Sequence, residues 1–166
     1  MPDKYAFMPV TRADLPMLGR WLDEPHVQPW WGPRDWELKL IEEELGQRPV
    51  DMRIVHHDSR PFAYVQDYPA HHWPMPQYAD MPEGTRAVDT FLGDPAYLGQ
   101  GHASGYLRQR ARELLGDGYP AVVVDPSPDN VRALRAYRAA GFGDVAIRPC
   151  EDGDPVVVLR FAEDRR

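Results

Sequence analysis

The chain has 166 residues, of which 43% are hydrophobic and 27% are charged, a composition typical of a globular domain and not of a disordered chain. No apolar run approaches the roughly 20 residues that span a bilayer, and the N-terminus lacks the basic region and apolar stretch of a secretory signal. Cys150 is the only cysteine, which excludes an intramolecular disulfide and a four-thiolate zinc site. We therefore expect a single domain over residues 1–166, a cytoplasmic location and no membrane partner.

The charge balance is acidic, with 26 Asp and Glu against 19 Lys and Arg and a net charge of −7. No cluster of Lys and Arg precedes the C-terminal tail, so a nucleic-acid partner is not expected. An acidic surface suits a cationic partner or substrate, and it also serves plain solubility.

The first half of the chain predicts one strand, two helices and two further strands. The predicted elements are a strand at 5–10, a helix from the N-cap Thr11 to about Asp23, a helix at 33–45, and strands at 52–56 and 61–68 joined by a turn at 58–60. We interpret residues 69–85, which contain four prolines, as a loop.

The second half predicts strands that alternate with helices and end in a hairpin. The predicted elements are a strand at 85–92, a helix from about Gly101 to Leu115, a strand at 120–125, a helix from Ser127 to Gly141, and strands near 143–149 and 155–161. The unbroken β-branched run at 120–125 predicts a buried parallel strand. Ser127 before Pro128 indicates a helix N-cap, after which Val131 and Leu134 would face the core. The element order predicts a mixed α/β fold with helices flanking one central sheet.

A glycine-rich segment, Leu98-Gly99-Gln100-Gly101-His102-Ala103-Ser104-Gly105, lies between a predicted strand and a predicted helix. The N–H groups of a first helical turn can hold an anion such as a pyrophosphate. A P-loop would require a lysine, a dinucleotide fingerprint would require glycine in place of Ser104, and a hydrolase elbow would have its serine one position earlier. Taken alone, the segment remains a glycine-rich turn.

The helix after residue 127 carries a second pattern. Asn130 and Tyr137 are seven residues apart and share one face, with Ala133 between them. This face offers an amide, a small side chain and a phenol, although a buried structural tyrosine explains Tyr137 equally well.

Together these two segments resemble the GCN5-related N-acetyltransferases and, within them, the aminoglycoside 6'-N-acetyltransferases. The closer resemblance depends on the segments HVQPWWG at 26–32, RAVD at 86–89 and DPSPDN at 125–130, and it extends over roughly residues 5–160. It implies the mixed α/β acyltransferase fold and acetyl-CoA as co-substrate, without a metal. The implied reaction is transfer of acetyl to a primary amine of a cationic small molecule, in the first place the 6'-amine of an aminoglycoside, by a monomer or homodimer.

The resemblance also implies a role for each matching residue. The backbone of Leu98, Gly99, Gln100, Gly101, His102, Ala103 and Ser104 would wrap the pyrophosphate, and the strand residues Thr90, Phe91 and Leu92 would pair with the pantetheine arm. Asn130 would hydrogen-bond that arm, Ala133 would leave room for it, and Tyr137 would lie near the sulfur. Asp89 matches the acidic residue at the acceptor amine.

The implied acceptor site draws on aromatic and acidic side chains. Asp125 would help to hold the aminoglycoside, Trp30 and Trp31 would form part of a sugar-binding wall, and Trp73, Asp80 and Asp152 are further candidate contacts. Adjacent tryptophans do not both face one core, so we expect one of Trp30 and Trp31 to be exposed.

The chemistry agrees with this reading. An alkylammonium has a pKa of about 10.4 and must lose a proton before it attacks. A carboxylate such as Asp89 can attract the cation and accept that proton, directly or through water, and the phenol of Tyr137 can protonate the leaving thiolate. Two alternatives stay open, namely acylation of another small amine such as a lysine-derived siderophore precursor, and a CoA-binding module without catalysis.

Overall fold

The computed structural model describes residues 4–47 and 49–162. Within them, seven strands form a mixed sheet with the order β1-β2-β3-β4-β5-β7-β6. The strands are β1 (Ala6–Pro9), β2 (Asp51–His57), β3 (Arg60–Pro69), β4 (Arg86–Leu92), β5 (Val122–Val124), β6 (Phe142–Pro149) and β7 (Pro155–Phe161). The α-helices are α1 (Leu15–Leu22), α2 (Arg34–Glu44), α3 (His102–Gly116) and α4 (Val131–Ala140). The predicted α/β class and order of elements are confirmed.

The described residues divide into two compact units. The first comprises the residues up to Asp67 together with Asp89–Gln100. In it β2 pairs antiparallel with both β1 and β3. Leu18, Trp21 and Leu22 of α1 are buried, and their i, i+3, i+4 spacing gives the helix one apolar face. That face joins a core that includes Tyr64 of β3 and Phe91 of β4.

The second unit comprises Tyr68–Val88 and the residues from Gly101 onward. Here β5 pairs parallel with the first residues of β4 and antiparallel with β7. All three valines of β5 are buried, which confirms the predicted buried parallel strand. The predicted terminal hairpin is confirmed by the pairing of β6 with β7.

The prediction that α4 begins at Ser127-Pro128 is wrong. Asn130 N donates to Ser127 O at 3.0 Å, which closes a turn before the helix. The helix then begins at Val131, because Asn130 Oδ1 accepts from Ala133 N at 3.2 Å and caps it. Leu134 is buried as expected, but Val131 is 54% exposed and does not contribute to the core.

The predicted loop at 69–85 contains a short 3-10 helix at Pro76–Tyr78. Its residues Gln77 and Tyr78 are fully buried, so the middle of this segment is fixed in the second unit. No helix formed by residues 4–47 and 49–162 is long and apolar enough to cross a membrane.

Candidate active site

Asp89 lies on β4 in the first unit and is half-buried. Its Oδ2 accepts a hydrogen bond from Gln66 Nε2 at 3.0 Å. The same amide accepts through Oε1 from the hydroxyl of Tyr64 at 2.6 Å. A buried phenol on β3 is thereby connected to the predicted proton acceptor through one glutamine side chain.

The phenol of Tyr64 sits among negative charges. Burial, followed by the negative charges of Asp89, Glu37 and Glu44, raises its pKa well above the ordinary value. Both glutamates belong to α2 and are half-buried, and Glu37 also accepts from Gly32 N at 3.0 Å. Sequence reasoning did not identify these two residues, because no local pattern shows which helical carboxylates face a distant strand.

The two adjacent tryptophans, Trp30 and Trp31, differ in exposure, as the sequence predicts. Trp30 is 45% exposed. Trp31 is half-buried, and its ring packs edge-on against Phe91 at 4.9 Å and against Tyr64 at 6.1 Å. Trp30 therefore has the exposure that a substrate-contacting aromatic needs, while Trp31 serves mainly to pack the rings of the first unit.

Thr90, Phe91 and Leu92, the three strand residues after Asp89, each contact another residue of the first unit. Thr90 Oγ1 donates to the carbonyl oxygen of Tyr64 at 2.7 Å. The ring of Phe91 is buried and stacks on that of Tyr64 at 5.2 Å. The carbonyl oxygen of Leu92 lies 2.7 Å from His26 Nε2, which must carry the proton because a carbonyl only accepts.

The glycine-rich segment turns into α3 as predicted. Gly99 and Gly101 adopt left-handed backbone angles, with φ of 72° and 80°, and a Cβ at either would meet no heavy atom within 4 Å. Gln100 Nε2 donates to Ala96 O at 2.7 Å and Ser104 Oγ to Gly101 O at 3.0 Å. Left-handed glycines let a backbone approach a ligand, and the first N–H groups of a helix have no acceptor within it. The segment therefore fits a pyrophosphate.

The remaining residues of this segment are less open than the two glycines. The His102 side chain is buried and those of Leu98 and Ala103 are half-buried. Their contribution to anion binding would come from the backbone, as the resemblance implies.

The α4 helix carries the other predicted cofactor residues. Asn130 Oδ1 is used as the helix cap. Ala133 is half-buried. Tyr137 is buried, and its ring packs edge-on against Phe142 at 5.7 Å.

In the second unit Asp125 belongs to a carboxylate pair that sequence reasoning missed. Gln77 Nε2 donates to Asp125 Oδ2 at 2.9 Å and to Glu151 Oε2 at 3.0 Å. The amide is fully buried, and its Oε1 has no hydrogen-bond partner among residues 4–47 and 49–162. Gln77 is 48 residues from Asp125 and 74 residues from Glu151 in the sequence, so no local pattern predicts that the three side chains meet.

The other predicted acceptor contacts in the second unit have different surroundings. Asp80 is held by Arg148, with Nη1–Oδ1 at 2.7 Å and Nη2–Oδ2 at 2.9 Å, and the hydrogen bonds from Arg148 lower the pKa of Asp80. Trp73 is exposed and packs edge-on against Tyr68 at 5.5 Å. Asp152 is exposed in the turn before β7.

Comparison with known proteins agrees with the fold. Residues 10–148 match the family model for the Acetyltransferase (GNAT) domain. Aminoglycoside N(6')-acetyltransferase type 1 of Klebsiella pneumoniae is 29% identical over 163 residues, or 91% of this chain and 80% of that protein. N-hydroxyputrescine acetyltransferase of Acinetobacter baumannii is 25% identical over 143 residues, or 84% of this chain and 66% of that protein.

A solved structure extends the similarity to three dimensions. The structure of AAC(6')-Ib in complex with paromomycin and acetyl-CoA has a TM-score of 0.83 at 29% identity and covers 97% of this chain and 94% of that chain. Family model, sequence and fold thus agree over most of the chain. The chain belongs to the GNAT acetyltransferase family, whose members use acetyl-CoA as the acetyl donor.

Proposed function

We propose that this enzyme transfers acetyl from acetyl-CoA to the 6'-amine of an aminoglycoside. The observation that carries the proposal is the near-full-length similarity to aminoglycoside 6'-N-acetyltransferases, at 29% identity over 91% of the chain. The acidic residue that the resemblance assigns to the acceptor amine is retained as Asp89, and an exposed Trp30 stands where the resemblance implies a sugar-binding wall.

In this proposal Asp89 receives the amine. The acceptor arrives as an ammonium, since the pKa of an alkylamine is about 10.4. The Asp89 carboxylate attracts that cation and takes its proton, directly or through one water, so that the nitrogen lone pair becomes available. The hydrogen bond from Gln66 to Oδ2 favours the ionised carboxylate, which is the form that accepts a proton.

Tyr137 provides the matching proton donor. Acetyl-CoA supplies the thioester whose acyl carbon becomes the amide carbon. The Tyr137 hydroxyl would donate a proton to the departing sulfur, which otherwise leaves as a thiolate of a thiol with a pKa of about 8.5. The second proton, which the nitrogen loses as the amide forms, would pass through solvent to the phenolate and restore the phenol. The backbone N–H groups of residues 98–104 and the amide of Asn130 would bind the co-substrate without taking part in proton transfer.

A second candidate is acetylation of a smaller amine with fewer positive charges. Two of the carboxylates implied for aminoglycoside binding already have internal donors, because Arg148 holds Asp80 and Gln77 donates to Asp125. The similarity to N-hydroxyputrescine acetyltransferase over 84% of the chain supports the same reading.

An assay of CoA thiol release from acetyl-CoA, run with a panel of amines, distinguishes the two candidate functions. The panel contains aminoglycosides with a 6'-amine, matched aminoglycosides with a 6'-hydroxyl, lysine, putrescine and N-hydroxyputrescine. We expect turnover only with the 6'-amines. Turnover confined to the diamines or lysine would overturn the aminoglycoside proposal and support the second candidate.

Matched variants connect the activity to the proposed site. Asp89→Asn should reduce kcat/KM by about 10²–10⁴-fold, the range of a general base, while acetyl-CoA binding by calorimetry is retained. Asp58→Asn is the control, because Asp58 is an exposed turn residue of the same unit with φ of 49°, a conformation that asparagine also adopts. Full activity of Asp89→Asn would exclude Asp89 as the proton acceptor.

A further inference from the structure

We infer that Tyr64 and Gln66 are positioning residues that hold Asp89 Oδ2 in one orientation and keep its carboxylate ionised. The inference rests on the hydrogen-bonded series from the Tyr64 hydroxyl through the Gln66 amide to Asp89, all within the first unit. It also rests on the proposed role of Asp89 as the group that takes the proton of the amine.

The direction of each hydrogen bond in this series is determined by chemistry. A carboxylate only accepts, so the Gln66 group that faces Asp89 must be the NH₂ group. Oε1 of the same amide then faces Tyr64, whose hydroxyl must donate. Rotation of the amide by 180° would place two acceptors 3.0 Å apart at Asp89, which the Tyr64 hydroxyl prevents by holding Oε1.

The phenol stays a donor across the pH range in which an acetyltransferase works. Burial raises its pKa, and the negative charges of Glu37 and Glu44 on α2 and of Asp89 on β4 raise it further. Deprotonation would add a fourth negative charge to this group, so Tyr64 remains protonated and its hydrogen bond to Gln66 persists.

The phenol ring has little freedom to move. It stacks on Phe91 at 5.2 Å and contacts Trp31 edge-on at 6.1 Å, and its backbone carbonyl accepts from Thr90 Oγ1 at 2.7 Å. Thr90 and Phe91, which follow Asp89 on β4, therefore hold Tyr64 in place. The Tyr64 hydroxyl in turn orients the Gln66 amide that donates to Asp89. Contacts of β4 with Tyr64 thus help to fix the amide that donates to Asp89.

The expected effect on catalysis is a change in the basicity and orientation of Asp89. Hydrogen bonds to the ionised form lower a carboxyl pKa. Without the Gln66 donor, the pKa of Asp89 rises and a larger fraction is protonated at the acidic end of the working range. The acidic limb of the kcat/KM profile then moves to higher pH, whereas a merely structural role would lower activity equally at every pH.

The test uses three variants and one control in the full chain. Gln66→Met removes the donor to Asp89, Tyr64→Phe removes only the hydroxyl that orients the amide, and Gln66→Glu still accepts from Tyr64 but places a second carboxylate against Asp89. Tyr5→Phe is the matched control, because Tyr5 is also a buried tyrosine of the first unit whose pKa is raised by burial. Each protein is assayed by pH–kcat/KM profile and by ¹³C-carboxyl NMR titration of Asp89.

We expect the acidic limb and the Asp89 pKa to rise by about one to two units in Gln66→Met, which corresponds to the loss of one hydrogen bond to a charged group. The rise should be smaller in Tyr64→Phe, larger in Gln66→Glu because like charges repel, and absent in Tyr5→Phe. Variants that match Tyr5→Phe in both measurements would overturn the inference. The NMR titration needs no acceptor, so failure of the wild-type enzyme to acetylate aminoglycosides would count against the proposed function and not against this inference.

Discussion

Arg148 donates to both carboxylate oxygens of Asp80, at 2.7 and 2.9 Å, although the two residues are 68 positions apart in the chain. Arg148 Nη1 also donates to Gln77 O at 3.0 Å, so one guanidinium connects β6 to the buried 3-10 helix. An ammonium group of an acceptor would have to compete with this arginine for Asp80.

Arg148→Met should therefore improve recognition of acceptors with several ammonium groups. Freeing the Asp80 carboxylate should lower the KM for such acceptors by up to about fivefold, the range of an exposed ion pair, with little change for a monoamine. Arg138→Met is the control, because Arg138 makes the same two-point pair with Asp144, at 2.9 and 2.7 Å. An unchanged KM in Arg148→Met, or an equal change in both variants, would contradict the proposed place of Asp80 in the acceptor site.

The same ion pair predicts a pH effect on stability. The hydrogen bonds from Arg148 lower the pKa of Asp80 below its ordinary value of 3.8. A carboxyl whose folded pKa is lowered stabilises the native state above its unfolded pKa, and this contribution is lost as the pH falls through the folded pKa. The difference in urea midpoint between wild type and Arg148→Met should therefore be present at pH 6 and shrink below pH 3.8. Because Asp80 is exposed, added salt should also reduce this difference.

Tyr137→Phe tests the proposed proton donor. The variant should lower kcat by about a hundredfold, at the low end of general-acid contributions, without raising KM for the acceptor. The ring packs against Phe142 at 5.7 Å and is retained in the variant, so the protein should still unfold in one cooperative transition. Steady-state kinetics with scanning calorimetry checks both statements, and a kcat equal to that of wild type would assign the donor role elsewhere.

Gly101→Ala tests the backbone of the glycine-rich segment. An L side chain in the left-handed conformation costs about 1–2 kcal/mol, and relief of this strain would move the backbone N–H groups. We expect the KM for acetyl-CoA to rise about tenfold, the equivalent of that penalty. Gly118→Ala is the matched control, since Gly118 has φ of 101° and equally open surroundings. Gly118→Ala should lose stability without a change in the KM for acetyl-CoA. An equal rise in KM in Gly101→Ala and Gly118→Ala would indicate general destabilisation instead.

Gly93 allows the close approach of Trp21 in the first unit. A Cβ at this position would overlap Trp21 Cγ and Cδ2, so Gly93→Ala should destabilise the fold by about 1–3 kcal/mol through overpacking. Chemical denaturation of Gly93→Ala and of the double variant with Trp21→Leu measures the effect, and the double variant should recover part of the loss. Gly116→Ala, where nothing lies within 4 Å of the added Cβ, should be neutral or stabilising by up to about 1 kcal/mol.

The elements with strong local signals were predictable from the sequence. The β-branched run of β5 and the end of α4 at Gly141, whose φ is 113°, follow from propensity and periodicity, which depend on near neighbours. The start of α4 was misplaced because two capping arrangements compete there. The sequence offers two possible N-caps, Ser127 before Pro128 and Asn130. Ser127 does not cap the helix, because its side chain and its carbonyl accept hydrogen bonds in the turn that precedes α4.

The polar groups around the candidate site were not predictable in the same way. Gln77 lies in a proline-rich segment that reads as a solvent-facing loop, yet it is fully buried between two carboxylates. Gln66 lies in a segment that the sequence predicts as a strand, and nothing in that segment distinguishes it from a solvated residue. Such groups depend on contacts between residues far apart in sequence, which only the folded chain brings together.

The distribution of the five tryptophans determines how the protein can be observed by its own fluorescence. Trp30, Trp36 and Trp73 are exposed, whereas Trp21 is buried and Trp31 is half-buried. Native emission therefore comes largely from indoles in contact with water, and unfolding should shift its wavelength only modestly. An acceptor that stacks on Trp30 or Trp73 should instead quench or blue-shift the emission, so the unlabelled enzyme can report acceptor binding optically.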